Sequence, residues 1–410
     1  MSKILMLIFL LMIDYESYCQ SCCGELINEV FTNIIRFDSV YSEAQPNYLG
    51  SNVSLSVRIT DSPDNTCNKR PLIILMHGGG FSLGTPSLMD SIATEFTRRG
   101  YLTASIQYRL GYKGGSITCP MDTVELIRAW YRASQDAKSA VRWFKEHHDT
   151  FRIDTNLVFA GGWSAGGYAL TGLAWMNEDD EKPIQTGQLN DTLINNQLYV
   201  RPDLGSVNGI TNLNGFSSKV KGIFSFSSSF LFPEHLDEND QTPLLYFNNK
   251  MDEIGIPWQN CDEDAWIYSC PAGLPKSCGI ESMINLFLQY NVAYQYTLFE
   301  TTICIHYLHD PCFPMFQAEV EQIALFLNNL SECQTVTGYD EADLDNHTNS
   351  IIISDDDFAL FKSKYSGFVL INSIGASFHL NQLEKNILSK GFYYCISKNN
   401  SLSPFKVFVQ

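Results

Sequence analysis

The chain has 410 residues, 45% hydrophobic and 18% charged. That composition excludes a disordered or fibrous protein and supplies more chain than one ordinary core uses. The formal net charge is −18 and no basic run occurs, which excludes nucleic acid and anionic membrane surfaces as partners.

Lys3 precedes the apolar run Ile4–Ile13, and a polar stretch ends in Ser17-Tyr18-Cys19-Gln20. This is the layout of a secretory signal peptide cleaved after Cys19. The run is too short for a membrane anchor, which takes about 20 apolar residues, and no later segment is apolar enough to span. Export places the cysteines in oxidising conditions. Of 12 cysteines, removing Cys19 leaves 11, so at least one thiol stays unpaired or pairs between chains. Cys261, Cys270 and Cys278 share one loop-like stretch, and Cys304 and Cys312 another. The mature chain has no CxxC pair and no zinc spacing, so local disulfides are expected, their connectivity open.

From about residue 53 strand-like and helix-like segments alternate. Val53–Ile59 alternates as a strand, and Pro71–Met76 is a continuous apolar run, as in a strand covered on both faces. Ser87–Arg99 reads as a helix stopped by Gly100, and Tyr101–Tyr108 as a strand. Val124–His147 is helical, with Ala133, Ala137, Ala140, Val141 and Phe144 spaced for one buried face. Leu157–Ala160 is then a strand and Ala165–Met176 a helix. Residues 177–215, rich in Asn, Asp, Gly and Thr, break the rhythm and are expected as an irregular excursion over one edge of the sheet. Val220–Phe226, Pro243–Phe247 and Ala293–Phe299 read as strands, and Ser282–Tyr290 and Val320–Leu330 as helices. Such alternation predicts a mainly parallel sheet flanked by helices on both faces. This domain is expected over 20–333. Residues 334–350 read as a polar linker. The short β-type runs of 351–410, with one helix over Leu380–Ser389, read as a small β domain.

Two glycine-rich stretches carry the chemistry. Gly162-Trp163-Ser164-Ala165-Gly166 falls where a strand meets a helix. A serine projects its hydroxyl from such a sharp turn only if the residues two away have almost no side chain. By itself the motif is also compatible with a glycine-rich turn at a helix start. His77-Gly-Gly-Gly-Phe81 follows the apolar strand before it, and its glycines free backbone N–H groups to face a cleft. Those of Gly79 and Gly80, with that of Ala165, are the expected donors to a tetrahedral oxyanion. A phosphate loop would follow its glycines with Lys-Ser or Lys-Thr, and Phe81-Ser82 does not.

In this order, each after a buried strand, the two motifs resemble the α/β-hydrolase superfamily, in its carboxylesterase branch with the His-Gly-Gly-Gly signature. Gln107-Tyr-Arg-Leu-Gly111 and Ser134-Gln-Asp-Ala-Lys138 are similar to stretches of that family, and the resemblance covers roughly residues 35 to 332. It implies an α/β-hydrolase fold and a triad ordered serine, acid, histidine. It then implies Ser164 as nucleophile and Asp252 as acid, since Asp252 to Pro257 resembles the family's loop after a late strand. Glu253 is the near alternative, and Asp262 and Asp264 lie further off. The base follows the last strand, and two histidines qualify: His306 is preferred and His309 is the alternative, although Thr301–Ile305 stands where the family usually has glycine. His147 and His148, at a helix end before the serine, read as surface residues. Trp163 stands where many of these esterases carry glutamate, and is expected merely to pack.

The implied activity is hydrolysis of carboxylic esters of small molecules or acylated glycans through an acyl-enzyme, with no metal or organic cofactor. Two alternatives remain: a serine peptidase of the prolyl-oligopeptidase type, and an inactive hydrolase-fold binding protein. Residues 368–409 resemble the sorting domain of the Bacteroidota type IX secretion system, which would make that machinery a partner; an unrelated small β domain is the alternative.

Overall fold

The computed structural model describes residues 26–112, 122–194, 197–252, 256–262, 275–300, 306 and 315–331, with five short strands between residues 350 and 409. Residues 1–19, Cys270, Cys304, Cys312 and the helix expected over 380–389 lie outside the described residues. The chain falls into two compact units, Met1–Val320 and Glu321–Gln410, divided inside a helix, Met315–Leu330.

Eight strands of the first unit form one sheet. They are β1 (Ile35–Pro46), β2 (Asn52–Asp61), β3 (Arg70–Met76), β4 (Leu102–Ile106), β5 (Ile153–Trp163), β6 (Gly222–Phe226), β7 (Leu244–Asn249) and β8 (Tyr294–Phe299). The order across the sheet is β1-β2-β4-β3-β5-β6-β7-β8. β2 is antiparallel to β1 and to β4, and every neighbouring pair from β4 to β8 is parallel. Parallel strands need crossovers, and the crossover helices cover both faces. Every position of β3, β4, β6 and β7 is accordingly buried. β1 has no such run in its sequence: Phe37 and Val40 of this edge strand are 40% and 43% exposed.

The helices follow the expected order: α1 (Asp90–Arg98), α2 (Thr123–Glu146), α3 (Ala165–Trp175), α4 (Ile280–Gln289) and α5 (Met315–Leu330). α2 starts where the Asp122 carboxylate accepts the free N–H groups of Val124 and Glu125. It packs on α3 so closely that a Cβ at Gly172 would stand 2.3 Å from the Ser134 hydroxyl.

The excursion 177–215 reaches the edge strand β1, where Asn212 donates to the Tyr41 carbonyl at 2.8 Å. It contains a hairpin, Leu189–Ile194 with Gln197–Arg201, and lies along the polar side of α2. Arg128 donates to the Gln185 and Gly187 carbonyls at 2.9 Å, Gln135 to those of Leu204 and Ser206, and Arg142 to those of Asn208 and Asn212. A helix polar on one side usually meets water there. Here its long side chains instead satisfy the carbonyls of an irregular segment.

Cys261 and Cys278 form a disulfide across 17 residues, and Cys67 is also disulfide-bonded. In the second unit, strands 350–353, 405–409, 391–397, 368–372 and 377–379 form a sheet in that order, the first pair parallel and the rest antiparallel.

Candidate active site

Ser164 sits between β5 and α3 with φ 53° and ψ −122°, a strained conformation for a residue with a Cβ. Its N–H donates to the Phe226 carbonyl at 2.9 Å, which ties the turn to β6. The flanking glycines are dictated by contact. A Cβ on Gly162 would stand 2.6 Å from the Gly166 carbonyl, and one on Gly166 2.2 Å from the Met76 carbonyl oxygen. Backbone cannot swing aside as a side chain can, so neither position admits alanine without moving β3 or α3.

His306 meets this serine. Its Nε2 lies 3.0 Å from Ser164 Oγ, and its Nδ1 lies 2.8 Å from Asp252 Oδ2. An ionised carboxylate only accepts, so Nδ1 carries the hydrogen and Nε2 presents its lone pair to the hydroxyl. The imidazole is 8% exposed and the Asp252 carboxylate 1%. Asp252 is held in a turn after β7, its N–H donating to the Asn249 carbonyl at 3.0 Å. The sequence-predicted Ser164, Asp252 and His306 are thus brought together from three distant places in the chain. Glu253, Asp264 and His309 lie outside the described residues, and Asp262 belongs to a short strand pair with Ser277. His147 and His148 stand half-buried at the end of α2.

The glycine loop lies beside the serine. Gly79 and Gly80 have φ of 120° and 56°, a region open to glycine. Among the described residues their N–H groups donate to no protein acceptor, and a Cβ on Gly80 would meet nothing within 4 Å. Ala165 is buried at the first position of α3, where backbone N–H groups have no partner within the helix. Of the glycine loop it is Gly78 that comes nearest the serine, a Cβ there standing 3.1 Å from Ser164 Cβ, and Ala165 follows the serine directly in the chain.

Two residues have roles the sequence did not disclose. Trp163 does more than pack: its indole N–H donates to the His306 carbonyl at 3.1 Å. Its ring also lies over Gly78, where a Cβ would stand 2.9 Å from Cε3. One side chain so touches both the glycine loop and the histidine. His77 opens the glycine motif as a structural residue. It is fully buried, stacks on Tyr108 with ring centroids 4.5 Å apart, and its Nδ1 donates to the Gly78 carbonyl at 2.7 Å. Burial lowers its pKa to about 4, so the ring is neutral.

The two stretches between the motifs, Gln107–Gly111 and Ser134–Lys138, meet as a buried ion pair. Arg109 and Asp136 are 5% and 2% exposed and 2.8 Å apart, and Asp136 also accepts the Arg109 N–H. The pair fixes the loop after β4 to α2. Further along, the serines after β6 join a buried hydroxyl cluster: Tyr246 donates to the Ser228 carbonyl, and Asn248 to the Tyr246 hydroxyl at 3.1 Å. Among the described residues no group of three or more His, Cys, Asp or Glu side chains is arranged to hold a metal ion, and no helix is long and apolar enough to cross a membrane.

The strand order and the serine turn after β5 are those of the α/β-hydrolase fold. Residues 61–223 match the model of the BD-FAE family, a span that holds the glycine loop, the Arg109–Asp136 pair and the serine turn. Among curated proteins, a phenmedipham hydrolase of Pseudarthrobacter oxydans is 31% identical over 114 residues, 28% of this chain and 22% of that protein. Secreted lipase 5 of Gibberella zeae is 28% identical over 158 residues, 37% of this chain and 27% of the lipase. The non-reducing polyketide synthase atr1 of Stereocaulon alpinum is 32% identical over 117 residues, 28% of this chain but 4% of the synthase. The chain therefore spans about a quarter or less of these relatives. Among solved structures, propionate-bound esterase 2 of Thermogutta terrifontis superposes with a TM-score of 0.48 at 15% identity, covering 74% of this chain and 96% of that one.

Proposed function

We propose that the chain is a carboxylic ester hydrolase working through an acyl-enzyme on Ser164. The observation that carries the reading is the hydrogen-bonded series Ser164–His306–Asp252, which stands at the mouth of a loop with free N–H groups. Ser164 Oγ attacks the carbonyl carbon while His306 Nε2 takes its proton, and Asp252 stabilises the imidazolium that forms. The N–H groups of Gly79, Gly80 and Ala165 hold the oxyanion, each such donor lowering the barrier by about 2.7–4 kcal/mol. His306 returns the proton to the departing alkoxide, the alcohol leaves, and water attacks the acyl-enzyme by the same route.

The test is hydrolysis of p-nitrophenyl acetate alongside a dipeptide anilide by wild type and Ser164→Ala. The reading expects ester cleavage that the variant loses at least a thousandfold. Full activity in the variant would refute it, and faster anilide cleavage would favour a peptidase.

For the alcohol side we propose acylated glycans, by analogy with exported esterases. Export itself is supported by the Cys261–Cys278 disulfide and by the secreted lipase among the relatives. The C-terminal unit is proposed to serve the secretion machinery. Normal export of a chain truncated at about residue 335 would remove that role.

A further inference from the structure

Away from the serine, a cavity of about 680 Å³ opens between the turn 46–50, the middle of α2 and residues 200–210. Ser164, His306, Gly79 and Gly80 do not line it. Tyr48, Leu49, Val200, Leu204 and Ile210 give it apolar walls, and Arg109, Arg128, Arg132 and Arg201 reach it from below. Each of the four arginines is at most 5% exposed.

Three of these cations have a carboxylate. Arg109 pairs with Asp136 at 2.8 Å, Arg201 with Asp122 at 2.7 Å, and Arg128 with Glu125 at 3.8 Å. Arg132 has none. Among the described residues its single hydrogen bond goes to the Gly111 carbonyl at 2.8 Å, and its Nε is buried without a partner. Burial and the neighbouring Arg109 charge lower its pKa to about 10, so it is still charged at neutral pH. Asp203 also lines the cavity but is taken up by Lys182. Among the described residues four guanidinium groups then face three carboxylates, and the one positive charge in excess falls on Arg132.

A buried cation without a counter-ion is costly, and one bound anion removes that cost. We propose that the cavity binds a small organic monocarboxylate, its apolar body against Tyr48, Leu204 and Ile210 and its carboxylate on Arg132. A planar carboxylate suits the planar fork of a guanidinium. One negative charge matches the excess of one, whereas a dianion such as phosphate would leave net negative charge beside Glu125. The apolar walls ask for a hydrocarbon body of the size of one aromatic ring or more.

Benzoate, benzamide and inorganic phosphate are the probes, titrated into the full chain by calorimetry and thermal unfolding. Benzoate is expected to bind at one site per chain and to raise Tm by roughly 2 °C or more near saturation. Benzamide, equal in shape and uncharged, and phosphate, charged without the apolar body, should each bind at least tenfold more weakly. Arg132→Met should lose benzoate binding tenfold or more. Ile210→Trp, which fills the cavity and keeps the charges, should do the same and serves if Arg132→Met does not fold. Benzoate binding should survive blocking Ser164 with phenylmethanesulfonyl fluoride. Equal affinity for benzamide, undiminished benzoate binding in both variants, or loss of binding on blocking Ser164 would each overturn the proposal.

Discussion

Trp163→Phe removes the indole N–H, and with it the bond to the His306 carbonyl at 3.1 Å, and leaves a smaller aromatic ring in its place. Part of the indole over Gly78, including Cε3, is lost as well, so Tm is needed to separate lost packing from the lost bond. The hydrogen bond alone has a net worth of about 0.5–1.5 kcal/mol. If that bond holds His306 in reach of Ser164, the loss falls on the transition state. At about 1.36 kcal/mol per tenfold, kcat/KM should drop about 2- to 13-fold. KM for a small ester should stay unchanged, so the drop should appear in kcat. The assay is steady-state hydrolysis of p-nitrophenyl acetate from pH 5 to 9, with Tm recorded beside it. An unchanged kcat would refute the tether. A fall in kcat no greater than the loss of folded protein accounts for would reduce Trp163 to packing.

Three further outcomes follow from the same geometry. Gly166→Ala forces a methyl group to 2.2 Å from the Met76 carbonyl oxygen; overpacking of this kind costs about 1–3 kcal/mol, and here it also displaces the serine, so urea unfolding should shift and esterase activity should fall at least a hundredfold. Asp136→Asn leaves the buried Arg109 charge without its carboxylate and should lower stability by about 3–5 kcal/mol in urea titration, with activity per folded molecule reduced less than by loss of Ser164. His77 has its pKa lowered from 6.5 to about 4 by burial, so the unfolded chain takes up its proton first. Its contribution to stability is complete above pH 6.5 and is lost as pH falls towards 4, up to roughly 3 kcal/mol. Urea unfolding from pH 7 to 4 should therefore show a shallower acid decline in His77→Gln than in wild type, and parallel curves would contradict the assignment.

The main sheet was legible because parallel strands buried on both faces leave continuous apolar runs such as Leu72–Met76. β1 left no such mark, since an edge strand with Phe37 and Val40 half exposed looks like loop. The excursion 177–215 was recognised as irregular, but its position along α2 depends on side chain-to-carbonyl bonds that have no period in the sequence. At the candidate site, Ser164, Gly79 and Gly80 were legible because the turn and the loop demand glycine locally. Asp252 and His306 were reached through chain order and resemblance, as nothing local distinguishes a carboxylate that meets its partner across 54 residues or an imidazole that meets its serine across 142. The tether from Trp163 was illegible for the same reason: its acceptor is a backbone carbonyl, which every residue has.

Labelling with a fluorophosphonate, followed by peptide mapping, tests the assigned nucleophile most directly. One adduct per chain is predicted, on the peptide holding Ser164, and it should disappear in Ser164→Ala and form far more slowly in His306→Gln. An adduct on any other serine, or undiminished labelling of the Ser164→Ala protein, would contradict the account.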